Sequence, residues 1–132
     1  MKNYKFRVYN KEENKMYYDI DTLIFNEIGL SHVVINNKTY NVNENIVVMQ
    51  YIGLKDTNNK DMFEHDIVRI TDDYLEESYH VIQYQSDLDY PAYDLHPIYS
   101  EECNSISNCI ATIKIEVIGN KYENGDLLKL IK

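Results

Sequence analysis

The sequence predicts a mainly β fold that opens with an N-terminal β-meander and holds at most short helical turns. Three observations predict it. Apolar and polar residues alternate at a period of two in Tyr4 to Tyr9 and in Tyr79 to Tyr84, which is the spacing of a half-buried strand. Asparagine-rich turns, Asn36-Asn37 and Asn58-Asn59, separate the apolar runs. Thirteen tyrosines stand against three phenylalanines and no tryptophan. Tyrosine suits strands whose rings face inward while their hydroxyls reach water.

Taken in order, Tyr4 to Tyr9 is a strand with Tyr4, Phe6 and Val8 on one face. The polar run Asn10 to Asn14 turns the chain, and Met16 to Tyr18 returns as a hairpin partner. Thr22 to Phe25 is short and apolar and ends before Asn26 and Gly29. His32 to Ile35 and Thr39 to Val42 flank Asn36-Asn37. Asparagine tolerates the positive φ that a two-residue hairpin turn demands. After a turn at Asn43 to Asn45, the run Ile46 to Ile52 is apolar on both faces at Val47-Val48-Met49, the pattern of a central, covered strand.

Gly53 and Asn58-Asn59 supply the tight geometry between that run and the strand at 66–70. Thr71 to Ser78 is densely acidic, and its Leu75 anchors at most a short helical turn. Strands follow at 79–84 and 112–118. Between them Ser86 to Ser105 holds both prolines and reads as a long loop, with an edge strand near Tyr93 to Leu95. Gly119-Asn120 breaks the last strand, and Gly119 is expected in a backbone conformation closed to side chains. Leu127 to Ile131 is a short helix or a final strand.

At 132 residues the chain fits one domain, with possible subdomains at 1–55 and 61–132 sharing one core. A chain of this length buries roughly two thirds of its unfolded surface, enough for a cooperative core. The net charge of −9 argues against free nucleic acid, whose backbone requires a basic footprint. No apolar run approaches the ~20 residues of a membrane span. The start, Met1 to Arg7, lacks the apolar stretch of a secretory signal. Cys103 and Cys109 make no disulfide framework and lack the close spacing of a zinc module. The expectation is an intracellular protein with free thiols.

Three blocks carry a family resemblance. Phe6-Arg7-Val8-Tyr9 is followed by Lys15-Met16. Met49-Gln50-Tyr51-Ile52-Gly53-Leu54-Lys55-Asp56 is followed by Phe63-Glu64-His65-Asp66-Ile67-Val68. Glu116-Val117-Ile118-Gly119-Asn120-Lys121-Tyr122-Glu123-Asn124 is followed by Leu127-Leu128. In kind and order these resemble the signatures of the YopX family. The resemblance implies one YopX-like domain over 1–132: a small, mainly β protein of phages and prophages of Gram-positive bacteria, placed in the host cytoplasm. It brings no catalytic residues. The family's usual Glu-Gly-Asp-Ile is Glu64-His65-Asp66-Ile67 here, which puts histidine where a positive φ is expected. The entry into the strand at Asp66 also resembles the start of Src-homology-3-like barrels, which implies a small, open, β-barrel-like C-terminal subdomain on which the meander packs, an analogy of fold alone.

No catalytic or cofactor constellation emerges, and neither a metal nor a cofactor is expected. Glu64, His65 and Asp66 are adjacent, but on a strand Glu64 and Asp66 share a face while His65 points away. Asp66 is expected to bond nearby main-chain amides instead. Gly53, Asp66, Gly119 and Asn120 are accordingly read as structural. Charge is unevenly spread. Residues 1–18 hold five basic and two acidic groups, whereas residues 61–102 hold twelve acidic groups and one basic group, Arg69. Asp72, Asp73, Glu76 and Glu77, with Tyr90 and Tyr93, form the candidate partner-binding set, because tyrosine is enriched at protein interfaces. The leading functional expectation is a non-enzymatic module that binds a host or phage protein through its acidic surface, which suits a basic partner. A homo-oligomeric structural module and a small enzyme with an unrecognised site are the alternatives.

Overall fold

The computed structural model describes residues 5–85, 92–97, 99 and 113–131. It divides into two units, residues 1–50 and 51–132. The division falls inside one strand, ahead of the 55–60 turn.

The first unit contains β1 (Phe6–Asn10), β2 (Lys15–Tyr17), β3 (Thr22–Phe25), β4 (Leu30–Ile35), β5 (Lys38–Asn41) and the start of β6 (Ile46–Lys55). Turn chemistry sets these bounds. Asn10 Oδ1 accepts the N–H groups of Glu12 and Glu13 at 3.0 and 3.2 Å, which closes the β1–β2 turn. Asn36 and Asn37 take φ of 51° and 66°, the paired positive values of a two-residue hairpin turn. The meander is confined to β3-β4-β5, and β6 returns antiparallel beside β1 rather than β5. Its pairing of Ile46 with Asn10 brings Ile46 into a core with Val8, Val33 and Ile35. Tyr17, Leu23 and Tyr40 pack around that core.

The second unit contains the rest of β6, β7 (Asp61–Phe63), β8 (Asp66–Thr71), β9 (Glu77–Gln85), β10 (Ala92–His96), β11 (Lys114–Asn120) and a 3-10 helix (Gly125–Leu130). Its sheet runs β10-β9-β8-β11, antiparallel throughout, and curls into a half-barrel. Met62, Val68, Ile70, Ile82, Leu95 and Ile115 are fully buried together.

Two glycines differ in role. Gly53 takes φ of 87° between the β6–β7 pairs Tyr51↔Phe63 and Lys55↔Asp61. The strand therefore bulges there and runs on to Lys55, past the Ile52 limit read from the sequence. Gly119 does not break its strand. β11 continues to Asn120 across a register shift between Val117 and Gly119, and Gly119 lies outside the left-handed region. What demands glycine is Asn124: a Cβ on Gly119 would stand 2.6 Å from its Oδ1 and 2.9 Å from its Cβ.

The β6–β7 turn is fixed by a buried carboxylate. Asp56 Oδ1 accepts the Asn58 and Lys60 N–H groups at 2.9 and 2.8 Å, and Oδ2 accepts the Val117 N–H at 2.9 Å. Beside it, Thr57 N–H donates to Ile115 O, and Thr57 Oγ1 accepts the Ile115 N–H. The turn is thereby bound to β11.

Charge divides with the units. Residues 1–50 hold six basic and six acidic groups, whereas 51–132 hold seven basic and sixteen acidic groups. The whole net charge of −9 lies in the second unit.

Candidate partner-binding surface

The acidic run at Asp72 lies at the tip of the β8–β9 hairpin, whose last paired residues are Thr71 and Glu77. The tip is a hydrogen-bonded turn rather than a helical one. Leu75 N–H donates to Asp72 O, and Asp72 N–H donates to Glu76 O, both at 3.0 Å. Asp72 Oδ1 accepts the Tyr74 and Glu76 N–H groups at 2.8 and 3.0 Å. Asp72 is therefore the side chain that closes the turn.

Closing the turn turns two large side chains outward. Tyr74 is 86% exposed and Leu75 81% exposed. Leu75 also takes φ of 64°, a left-handed conformation that costs a non-glycine residue about 1–2 kcal/mol. Asp73 and Glu76 are exposed beside them. Glu77 Oε2 accepts the Tyr79 hydroxyl at 3.1 Å. Arg69 gives its hydrogen bond to Glu116 of β11 at 3.2 Å. That bond holds the Glu116 carboxyl below the ordinary carboxylate range. Tyr99 is close enough to feel the tip: burial first, then the charges of Asp72 and Asp73, push its hydroxyl pKa up.

The six residues picked from the sequence thus separate. Asp72, Asp73, Glu76 and Glu77 share the tip. Tyr93 is half-buried on β10, edge-on to Tyr84 at 5.4 Å between centroids, and packs against the second unit's core. Burial, then the charge of Glu64, raises its hydroxyl pKa. Tyr90 lies outside the described residues. Tyr74 and Leu75 were missed. The only available signal was two large side chains inside an acidic turn segment.

Gly53 and Gly119 sit at the bulge and the close approach described above. Asp66 is buried, and its Oδ2 accepts the Phe63 N–H at 2.8 Å. Asn120 Oδ1 accepts the Tyr122 and Glu123 N–H groups at 3.0 and 2.8 Å. His65 departs from the strand geometry weighed for Glu64 to Asp66 and takes the positive φ expected where the family usually has glycine. Residues 64 and 65 form the turn between β7 and β8, with His65 at φ of 72°. Its Nδ1 is 3.3 Å from the Tyr122 hydroxyl, and its Nε2 is 3.9 Å from Glu64 Oε2. Among the described residues no three His, Cys, Asp or Glu side chains gather as a metal site. Cys103 and Cys109 lie outside them. No helix among the described residues is long and apolar enough to cross a membrane.

Two solved structures share this architecture. One is a crystal structure of protein EF1440 from Enterococcus faecalis, with 23% identity and a TM-score of 0.69 over 97% of this chain and 99% of that one. The other is the crystal structure of protein yopX from Bacillus subtilis, with 20% identity and a TM-score of 0.65 over the full length of both. No curated protein matches. The family profile described as YopX protein matches residues 5–129, and the chain belongs to the YopX family.

Proposed function

We propose that this chain is a non-enzymatic protein-binding module that docks a basic partner through the β8–β9 tip. The carrying observation is the outward placement of Tyr74 and Leu75 beside Asp73 and Glu76, on a turn held closed by Asp72. Aromatic and aliphatic anchors at the centre of a charged rim are what a docking hot spot requires. A left-handed leucine with an exposed side chain costs folding energy that a solvated loop has no reason to retain. The phage and prophage setting implied by the resemblance points to a host or phage protein in the bacterial cytoplasm as the partner.

The test is affinity capture from host lysate with the whole chain as bait. Wild type should retain a stoichiometric partner at low salt and release it as salt rises. Tyr74→Ala should weaken retention at least about tenfold, as loss of an anchor does. Leu75→Gly should weaken binding too, yet raise stability by roughly 0.5–1 kcal/mol by relieving the left-handed strain. Equal retention by wild type and both variants would remove the tip from the interface.

Self-association is a second reading, favoured by the β3–β4 tip, where Phe25 is exposed and Ile28 is 98% exposed. A solution mass that rises with concentration, and falls back in Phe25→Ser/Ile28→Ser, would select it.

A further inference from the structure

The first unit carries a separate feature, independent of the acidic tip. β5 is the outer strand of the sheet β3-β4-β5 and pairs with β4 alone. A two-residue turn makes its flanking residues, Ile35 and Lys38, a hydrogen-bonded pair. Alternation then directs the main-chain N–H and C=O groups of Thr39 and Asn41 away from β4. The next link, from Val42 N–H to Ser31 O at 2.9 Å, keeps that alternation. Among the described residues nothing pairs with this outer edge. Charged side chains often guard such an edge. Here the single charge on β5, Lys38, lies 4.9 Å over the centroid of its own strand's Tyr40 ring.

Along this edge runs an open groove of about 340 Å³. All four residues of β5 line it, and Asn10, Glu12, Glu13 and Asn45 are among its other lining residues. The lining is held in place by its own bonds. Asn45 Nδ2 donates to Glu12 Oε1 at 3.1 Å, and Asn10 Nδ2 donates to Glu13 Oε1 at 2.8 Å. The Tyr17 hydroxyl donates to Glu13 Oε1 at 2.9 Å. Among the described residues these bonds leave Oε2 of both glutamates without a hydrogen bond.

We propose that the outer edge of β5 and this groove take up an extended basic peptide as an added strand. The main chain of Thr39 and Asn41 supplies the two donors and two acceptors that a short added strand needs. The amides of Asn10 and Asn45 hold the glutamates in position. The Glu12 and Glu13 carboxylates outnumber the Lys38 ammonium, so lysine or arginine side chains on the peptide meet complementary charge. This surface belongs to the charge-balanced unit, so the attraction is local to the groove.

The test uses the full chain, labelled for amide resonances, and a blocked peptide of alternating valine and lysine. Addition of the peptide should shift the Thr39 and Asn41 amides first. An analogue N-methylated at every residue lacks the strand's donors and should bind at least about tenfold more weakly. A valine–glutamine peptide should bind more weakly than the lysine peptide, and that preference should disappear in Glu12→Gln/Glu13→Gln. The methylated analogue leaves the protein unaltered, so a folding defect cannot mimic its result. Equal binding by the methylated analogue would overturn strand addition. So would unmoved Thr39 and Asn41 amides at millimolar lysine peptide. Shifts that follow protein concentration alone would assign the edge to a second copy of the chain and overturn the peptide.

Discussion

Asp56→Ala is expected to lower stability by about 3–4 kcal/mol, the loss of three hydrogen bonds to one charged acceptor in a buried setting. The side chain bonds the Asn58 and Lys60 N–H groups within its turn and the Val117 N–H across to β11. Removing it leaves these donors without the carboxylate oxygens of a buried side chain. Asp56→Asn should recover only part of the loss. Its oxygen can still serve the two turn amides, but its NH2 group then faces the Val117 N–H, donor against donor. Urea unfolding measures both variants, with a shifted midpoint and an unchanged slope. A loss under about 1 kcal/mol for the alanine variant would mean that water replaces the carboxylate.

Gly119→Ala is the second large effect, at about 2–3 kcal/mol, the range for forcing an extra carbon into occupied space. The added Cβ meets the oxygen, Cγ and Cβ of Asn124 at 2.6, 2.7 and 2.9 Å. Because the Asn124 Cβ is among them, rotating the far end of that side chain does not clear the site. Displacing Asn124 also removes the acceptor of the Asn120 N–H, which bonds Asn124 Oδ1 at 3.1 Å. In an Asn124→Gly background the further cost of Gly119→Ala should fall below about 1 kcal/mol, leaving little beyond strand propensity. Additive losses in the double-mutant cycle would place the cause in the backbone of Gly119 rather than in this contact.

The two variants show where sequence reading works and where it stops. The strands read at 32–35 and 39–42, found as Leu30–Ile35 and Lys38–Asn41, were legible because Asn36-Asn37 specifies both a turn type and a register. Alternation located the strands at 66–70 and 79–84, although pairing extended them to Asp66–Thr71 and Glu77–Gln85. The 3-10 helix at Gly125–Leu130 was one of two options for an apolar stretch too short to show a period. Asp56 was invisible as an anchor, because its partner Val117 lies 61 positions away and nothing local marks a clamp. Gly119 was singled out for the wrong cause, since its neighbour Asn124 is fixed by the turn at Asn120 to Glu123 and not by Gly119 itself. At the candidate site the acidic charge was legible as composition. The outward turn of Tyr74 and Leu75 was not, because it follows from the bonds that Asp72 makes.

The partition of charge gives salt a selective action on this chain. Like charges repel within a screening length of ~30 Å at 0.01 M salt, which shrinks to ~8 Å at 0.15 M. Residues 1–50 are balanced and contribute no net self-repulsion, whereas 51–132 carry nine excess negative charges. Diluting the salt should therefore raise the internal electrostatic pressure of the second unit alone. Amide hydrogen exchange makes this visible one residue at a time. At low salt the amides of Val68, Ile70 and Ile82 should exchange faster, while those of Val8, Val33 and Ile35 keep their rates. Equal acceleration in both sets would show that the two units open as one, and that the excess charge of residues 51–132 is felt across the whole chain.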